Sequence, residues 1–507
     1  MSAFARQVGQ WWIPHDPDRR VGGILDGQHP DGLTLHLTDH LIDHQAQQIP
    51  VLFGEARGRE VTLFDLRPAS GGSITCGQVR TETQVMRARV ALVGIHLLDA
   101  TDAVFTGEHV AMTGLTAWAA GRALRWTYEQ APPPSEETVL LTEQPTRRLR
   151  AVVDDGNITV ELGWNVAIPG ERDEADFRRY EFKERMMVHV EVTSARPWDG
   201  FHAPVRAIRE LVTIGTQTPA RITERTLLIP QVDGPSWRVD VFHIGVDDAT
   251  GTEAAADDSE SIFTLADIDF ATVFPQWWEL RKKLGLSVHL LLGLDYKKDV
   301  YYEHRVFTAA SAAEGFHAAL FYGSNAGTDL DPAAHATLKE RLTLVLAGVG
   351  AEELQHLETA LAGIAAPLKT KILQVAQGLS PEESDWVKKK TSDNRAGLPT
   401  RYRQLATAAD PTAVQVLLTD IDTWAKWLTK ARNSIGHANT GKFEAGVPES
   451  ARYFLEYVTR ALLHLIVLDQ LGIDADRQRA VVQQRWLHVA RKFREAIESE
   501  KNTTPHG

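Results

Sequence analysis

The chain has 507 residues, which is too long for one hydrophobic core and predicts two to four domains. Its hydrophobic (43%) and charged (24%) fractions are those of an ordinary globular protein, and its single cysteine, Cys76, excludes a disulfide framework or a cysteine-rich metal centre and favours a reducing cytoplasm. A net charge of −13 argues against a protein that coats nucleic acid non-specifically, although a local basic cleft stays compatible with it.

The amino terminus, MSAFARQVGQWWIPHDPDRR, has no apolar segment of the kind found in signal peptides. The most apolar stretches, such as residues 462–468, are too short to span a bilayer. We therefore expect a cytoplasmic protein without membrane contact.

From about Val21 to Val246 the sequence has the pattern of strands and turns. Apolar and polar residues alternate in RVGGILDG, LTLHLTDH, VTLFDL, ITVELGW and VHVEVTS. Asp-Gly dipeptides between these segments are typical of turns. This pattern predicts a β-rich domain, sandwich-like or barrel-like, over residues 1–275.

An acidic stretch without periodic apolar residues follows at 247–261 and is interpreted as a linker or solvated loop. After Phe274 the apolar period becomes helical, which predicts an all-α domain over residues 276–507 and an α+β protein overall. Ser380-Pro381 and Asp410-Pro411 have the composition of helix N-termini. The predicted helices cover residues 303–323, 334–347, 351–376, 381–390, 411–435, 449–471 and 475–499.

The segment DIDTWAKWLTKARNSIGHANTGK, residues 420–442, combines an apolar helix face with a cluster of polar residues at its end. Arg432 and His437 are five residues apart, which separates their side chains by about 140° on a straight helix. We expect Gly436 to break the helix and let the turn bring His437 back beside Arg432.

Together these residues suit the cleavage of a phosphodiester. Histidine exchanges protons near neutral pH, so His437 could accept the 2′-hydroxyl proton or protonate the leaving 5′-oxygen. Arg432 can hold a phosphate in its planar fork and offset the charge of the transition state. Asn433 can orient either partner by hydrogen bonding.

Spacing alone does not distinguish this site from a structural alternative. Arg432 could be a surface arginine and His437 a cation at the negative end of a helix. Arg238 and His243 have the same spacing in an alternating strand, where residues five apart point to opposite faces, and we interpret that match as chance.

The block KARNSIGHAN, residues 430–439, resembles the Arg-polar-x-x-x-His signature of HEPN domains. Two further blocks resemble the ApeA family of bacterial antiphage proteins, in which a β-rich N-terminal domain precedes a HEPN domain. The first is GQWWIPHDPDRRVGGILDG with IPVLFGEARGREVTLFDL, and the second is FTAASAAEGFHAALFY, residues 307–322, which is similar to the first HEPN helix. The three blocks occur in the family's order.

The resemblance implies a metal-independent endoribonuclease that leaves a 2′,3′-cyclic phosphate and a 5′-hydroxyl. It implies a homodimer or higher oligomer, a cellular RNA target such as tRNA, and a phage-derived trigger, such as a protein, acting through the N-terminal domain. On that basis Arg432 and His437 are catalytic, Asn433 orients them and Glu314 supports them from the facing helix, with no cofactor or metal. For Glu314 a purely structural role remains open, and for His317 that role is favoured.

Other candidates have simpler interpretations. His40 and His44 have a zinc-compatible spacing but lack an obvious third ligand, so surface roles are favoured. Phosphate-binding loops, dinucleotide fingerprints and serine-hydrolase elbows are missing from the sequence. The remaining candidates for RNA contact are Lys388–Lys390, Arg395, Arg401, Arg403 and the tryptophan pairs Trp11-Trp12 and Trp277-Trp278, for which we favour solvated faces and structural packing respectively.

Two alternatives to an RNA-cleaving defence protein stay open. One is a catalytically silent HEPN domain that binds RNA or dimerises. The other is a carbohydrate- or protein-binding β-sandwich with a helical appendage.

Overall fold

The computed structural model divides the chain into two compact units, residues 1–282 with 471–473 (unit 1) and residues 283–470 with 474–507 (unit 2). The predicted β-rich first half and helical second half are both confirmed. The domain boundary predicted between residues 275 and 276 falls inside a helix, Phe270–Leu284. The structure describes residues 6–27, 32–41, 48–76, 79–129, 138–143, 148–167, 172–174, 177–179, 183–243, 261–296, 301–321, 331–346, 359, 369, 396–438, 441, 443 and 446–503.

Six strands of unit 1 close into a barrel. Antiparallel pairing runs from β5 through β4, β1, β2 and β3 to β6, and β6 pairs with β5 again, which closes the ring. The strands are β1 (Gln7–Ile13), β2 (Asp16–Asp26), β3 (Thr34–Leu37), β4 (Ile49–Ala56), β5 (Arg59–Cys76) and β6 (Val79–Arg87).

Alternating side chains fill the barrel interior. Leu35 and Leu37 of β3 and Leu63 of β5 are among its buried residues, as the period-two pattern predicted. Trp11 is fully buried, and its ring lies so close to Gly54 that a Cβ there would be 2.2 Å from the indole. The Trp11 side chain therefore belongs to the hydrophobic core and is not accessible for stacking against bases.

The sheet continues beyond β5 through seven more strands, and its inner face is apolar. Val110, Val160 and Val190 are fully buried on that face. In order from β5 the strands are β7 (Val90–Val93), β17 (Trp237–His243), β16 (Ile222–Ile229), β8 (Phe105–Met112), β15 (Lys183–Arg196), β12 (Ile158–Ala167) and β11 (Leu149–Val153). Smaller elements are α1 (Leu115–Trp118), the hairpin of β9 (Leu124–Glu129) with β10 (Thr138–Glu143), and the hairpin of β13 (Arg172–Glu174) with β14 (Phe177–Arg179).

Neither helix of the β-rich half, the short α1 or the longer α2 (His202–Thr216), was predicted. α2 packs against β15, and one of its faces is buried. A salt bridge of 2.8 Å joins its buried Glu210 to Arg281 of α3 (Phe270–Leu284), and the Trp277 Nε1 donates to the Ala207 carbonyl oxygen at 2.8 Å. Trp277 is fully buried, so its indole has a structural role.

Unit 2 is helical, and most predicted helices are confirmed where the structure describes them. One prediction was wrong: the single helix expected over 411–435 is two helices. Thr419 adopts a positive φ (61°) that ends the first helix, and Asp420 caps the second. The helices are α4 (Leu286–Tyr296), α5 (Tyr302–Phe321), α6 (Pro332–Leu346), α7 (Leu398–Leu405), α8 (Pro411–Leu418), α9 (Ile421–Gly436), α10 (Glu449–Gln470), α11 (Ala475–Val481) and α12 (Leu487–Thr503), with one π-helical turn, Val482–Trp486, before α12.

The predicted N-terminus at Asp410-Pro411 is confirmed, because the Asp410 side chain accepts a hydrogen bond of 2.8 Å from the Ala413 N–H. The helix predicted at 381–390, its Ser380 cap, nearly all of the helix predicted at 351–376 and nearly all of the acidic linker lie outside the described residues. Within the described part of the chain, no helix is both long and apolar enough to cross a membrane.

Nearly buried ion pairs join α4, α5 and α10. Arg305 of α5 contacts Glu456 of α10 at 3.1 Å, and Arg460 of α10 contacts Asp295 of α4 at 2.7 Å. Both carboxylate side chains are only 3% exposed. Removing one partner of such a pair leaves a buried charge unpaired, so the first contact holds α5 against α10 and the second holds α4 against α10.

Candidate active site

Two packed helices of unit 2, α5 and α9, carry the predicted catalytic residues. At the start of α9 the Asp420 side chain accepts a hydrogen bond of 3.0 Å from the Thr423 N–H, which satisfies one of the unpaired donors of the first turn. Trp424, Trp427 and Leu428 then bury one face of α9 completely. The polar residues at the end of α9 lie on its other faces.

Arg432 of α9 is held by Glu314 of α5. The guanidinium Nε donates to Glu314 Oε1 at 2.6 Å, and the two side chains are 34% and 21% exposed. Among the described residues, the two terminal amino groups of Arg432 have no hydrogen-bond partner. The carboxylate thus orients the guanidinium by one edge and leaves the outer fork able to bind an oxyanion.

Tyr402 of α7 lies close to this pair. Its side chain is fully buried, and its hydroxyl donates to the Ala310 carbonyl oxygen of α5 at 3.5 Å. Burial raises the pKa of Tyr402, and the nearby Glu314 carboxylate raises it further. The phenol therefore stays protonated and neutral near neutral pH and does not transfer protons there.

α9 ends at Gly436, as expected, but the glycine does not turn the chain back toward Arg432. Gly436 itself is helical, His437 follows at φ −104° and ψ 13°, and the left-handed residue is Ala438, two positions beyond Gly436 (φ 51°). Gly436 instead allows α5 to approach, because a Cβ there would lie 3.3 Å from Cε2 of Phe307. Since the helix is intact between Arg432 and His437, the glycine does not swing the histidine back beside the arginine.

Asn433 and His437 are exposed at the end of α9. The His437 amide donates to the Asn433 carbonyl oxygen at 3.1 Å, so both residues belong to the last helical turn. In the described part of the chain, neither side chain has a hydrogen-bond partner. Arg432 points toward α5, whereas Asn433 and His437 belong to an open surface.

His317 is one turn from Glu314 on α5 but does not share its surroundings. It is 4% exposed, its Nε2 lies 2.8 Å from Gln404 Oε1, and its ring stacks on Phe321 with 4.9 Å between centroids. Burial lowers the pKa of His317. These contacts support the structural role that the sequence analysis favoured.

Two contributors from α7, Tyr402 and Gln404, were missed in the sequence. They occur in RYRQL, residues 401–405, and no local pattern links them to Glu314 or His317. Lys426 and Lys430 were missed as well, although a signal existed. Lys426, Lys430, Asn433 and His437 follow one another at intervals of four, three and four residues. Residues at these intervals lie on one face of a helix.

The other candidates are distributed elsewhere. Arg401 donates to the Ala396 carbonyl oxygen, and Arg403 pairs with Asp422 at 2.5 Å. His44, Lys388–Lys390 and Arg395 lie outside the described residues. Where the structure describes the chain, no group of three or more His, Cys, Asp and Glu side chains could hold a metal ion.

A helical unit with Arg-Asn-x-x-x-His at the end of one helix is a domain of the HEPN type. Here that unit follows a β-rich one. The family model of the ApeA N-terminal domain 1 matches residues 6–277, and the model of the Apea-like HEPN domain matches residues 307–477. The chain therefore belongs to the ApeA family of HEPN-type antiphage defence proteins. Neither a curated protein nor a solved structure matches it.

Proposed function

We propose that this protein is a metal-independent endoribonuclease that cleaves cellular RNA, tRNA in particular, during phage infection. The observation that carries the proposal is the Nε contact of 2.6 Å between Arg432 and Glu314, which orients the guanidinium while its outer fork stays open to a phosphate. The family membership supports the same chemistry.

In the proposed reaction the 2′-oxygen attacks the adjacent phosphorus as His437 removes the 2′-hydroxyl proton. The new 2′-O–P bond forms, the P–O5′ bond breaks, and the 5′-oxygen leaves after receiving a proton. The products are a 2′,3′-cyclic phosphate and a 5′-hydroxyl. Arg432 holds the non-bridging phosphate oxygens and offsets the charge that develops on them, and Asn433 orients the phosphate or the imidazole.

The direction of the two catalytic side chains supports a composite site. Arg432 and His437 are about 140° apart around a helix that remains intact between them. One copy of the chain thus presents its arginine and histidine on different sides of α9. In a homodimer that joins the ends of two α9 helices, each cleft would receive groups from both copies. The proton donor to the 5′-oxygen is then His437 of the second copy.

The N-terminal unit would carry the control of the nuclease. We propose that a phage-derived protein binds the β-rich unit and releases the HEPN unit from restraint. This arrangement gives a cytoplasmic, abortive-infection type of defence, in which damage to the host's own RNA stops phage production.

The test is cleavage of total cellular RNA and of purified tRNA in EDTA by the full-length protein and its His437→Ala variant, with and without infected-cell extract. We expect cyclic-phosphate ends that form in EDTA and disappear in the variant. Loss of cleavage with retained RNA binding in the variant separates the enzyme from a silent RNA-binding module. Equal cleavage by both proteins would refute the catalytic role of His437.

A further inference from the structure

Lys426, Lys430, Asn433 and His437 form one exposed stripe along α9. Their spacings of four, three and four residues place them within about 60° of one another around the helix. The stripe extends about 16 Å from Lys426 to His437 at 1.5 Å per residue. Two cations thus lead directly to the proposed catalytic end of the helix.

The start of this stripe opens into a groove of about 350 Å³ between α7 and α9. Arg403 of α7 lines the groove together with Asp422, Lys426 and Lys430 of α9. Three cationic side chains therefore face one carboxylate. The excess of positive charge is local, because the whole chain has a net charge of −13.

Contacts around the groove hold two of its cations in place. The Arg403 Nε donates to Asp422 Oδ1 at 2.5 Å. The stem of Lys430 lies against Gly446, where an added Cβ would be 3.1 Å from Lys430 Cδ and 3.3 Å from Lys430 Cβ. Within the described residues, neither Lys426 nor Lys430 has a carboxylate partner. Both ammonium groups are thus available to an external anion.

We infer that this groove and stripe bind the phosphate backbone of single-stranded RNA and deliver it to His437 at the end of α9. Lysine is a flexible point charge that neutralises phosphates without reading bases, so the subsite would give affinity and register, not sequence preference. The inference rests on the proposed ribonuclease function, since it takes its direction from the catalytic end of α9.

The test measures the affinity of a short 5′-fluorescein-labelled oligouridylate for the full-length protein by fluorescence anisotropy between 50 and 200 mM salt. Every protein carries His437→Ala, so cleavage does not enter the reading. Lys426→Gln and Lys430→Gln should each weaken binding. Each should also reduce the slope of log K against log salt concentration by about 0.7. Across this fourfold salt range, the affinity of each variant should then fall by a factor about 2.5 times smaller than that of the protein with both lysines.

Two further variants exclude trivial explanations. Asp422→Asn removes the only carboxylate among the groove's described lining residues, so it should tighten binding, a direction that damage to the fold does not give. Lys492→Gln on α12 is the matched control: it removes an equal charge from a lysine that pairs with Glu495 at 2.8 Å, and it should leave affinity and slope unchanged.

The outcomes separate this inference from the proposed function. Cleavage by the parent protein, with binding unaffected by the groove lysines, would keep the nuclease and overturn the subsite. Lysine-dependent binding, with no cleavage by the protein that retains His437 even in infected-cell extract, would keep the subsite and refute the nuclease. If the His437→Ala protein with both lysines intact does not bind the probe, the inference fails. It also fails if the lysine variants leave binding unchanged but shift sedimentation from dimer to monomer, because a second copy then occupies the groove.

Discussion

Replacing Arg432 by lysine tests how Glu314 uses the guanidinium. In the structure the arginine Nε contacts the carboxylate at 2.6 Å while the outer amino groups remain available. A lysine keeps the positive charge but has a single ammonium group. It therefore cannot pair with Glu314 in this position and also hold two oxygens of a phosphate.

The expected loss follows from that geometry. A preorganised donor to a developing oxyanion contributes about 2.7–4 kcal/mol to transition-state stabilisation, which corresponds to roughly 100-fold to 1000-fold in kcat. We expect Arg432→Lys to lose most of this factor, nearly as much as Arg432→Ala, with little change in KM. The split arises because ground-state attraction to the RNA depends on charge, whereas the fork acts in the transition state.

The assay is single-turnover cleavage of a labelled RNA in EDTA, with KM measured in parallel. Arg491→Lys on α12, an exposed position, is the matched control and should be silent. Adding Glu314→Gln to Arg432→Lys should recover part of the activity, since the lysine is then no longer held by a carboxylate. Near-parental kcat in Arg432→Lys alone would refute the reasoning, because charge without the fork would then be sufficient.

Two further predictions concern the scaffold of unit 2. Gly315→Ala should destabilise the protein by about 1–3 kcal/mol despite the higher helix propensity of alanine, because the added Cβ would lie 1.9 Å from Ser287 Oγ; thermal unfolding should show the opposite sign for Gly293→Ala, where no atom lies within 4 Å. Burial lowers the pKa of His464 to about 3 from an ordinary 6.5, so the unfolded chain binds the extra proton and unfolding free energy should fall by up to about 1.4 kcal/mol per pH unit below pH 6.5. Urea titrations between pH 7 and pH 5 should show a shallower dependence for His464→Met, and an unchanged slope would contradict the assignment.

The sequence was sufficient for features that depend on local patterns. Alternation located the strands that fill the barrel, since Leu35 and Leu63 had to face a core. The period of α9 and the Asp410 cap were equally readable. Closure of the barrel was not, because it depends on the pairing of β3 with β6, which β4 and β5 separate along the chain.

The sequence analysis failed where a tertiary contact or an adjacent capping residue overrode the preference of a single residue. α9 does end at Gly436, but the left-handed turn expected there lies at Ala438, and the close approach of Phe307 is what requires the glycine. Thr419 interrupts an apolar pattern that looks continuous, because the next residue, Asp420, is a better cap than a helix interior residue. The role of Tyr402 depends on a tertiary contact with α5, which no spacing reveals.

The two arginines near the candidate site are both held by a carboxylate, and this arrangement gives arginine and lysine different roles. Glu314 holds Arg432 at Nε, and Asp422 holds Arg403 at Nε, so both guanidinium groups are oriented while much of their charge is offset. Attraction of a polyanion must then come mainly from Lys426 and Lys430, which have no carboxylate partner among the described residues. On this basis lysine substitutions should change affinity and its salt dependence, whereas Arg432 substitutions should change kcat. A chain of net charge −13 can in this way bind RNA along one stripe without attracting it over its whole surface.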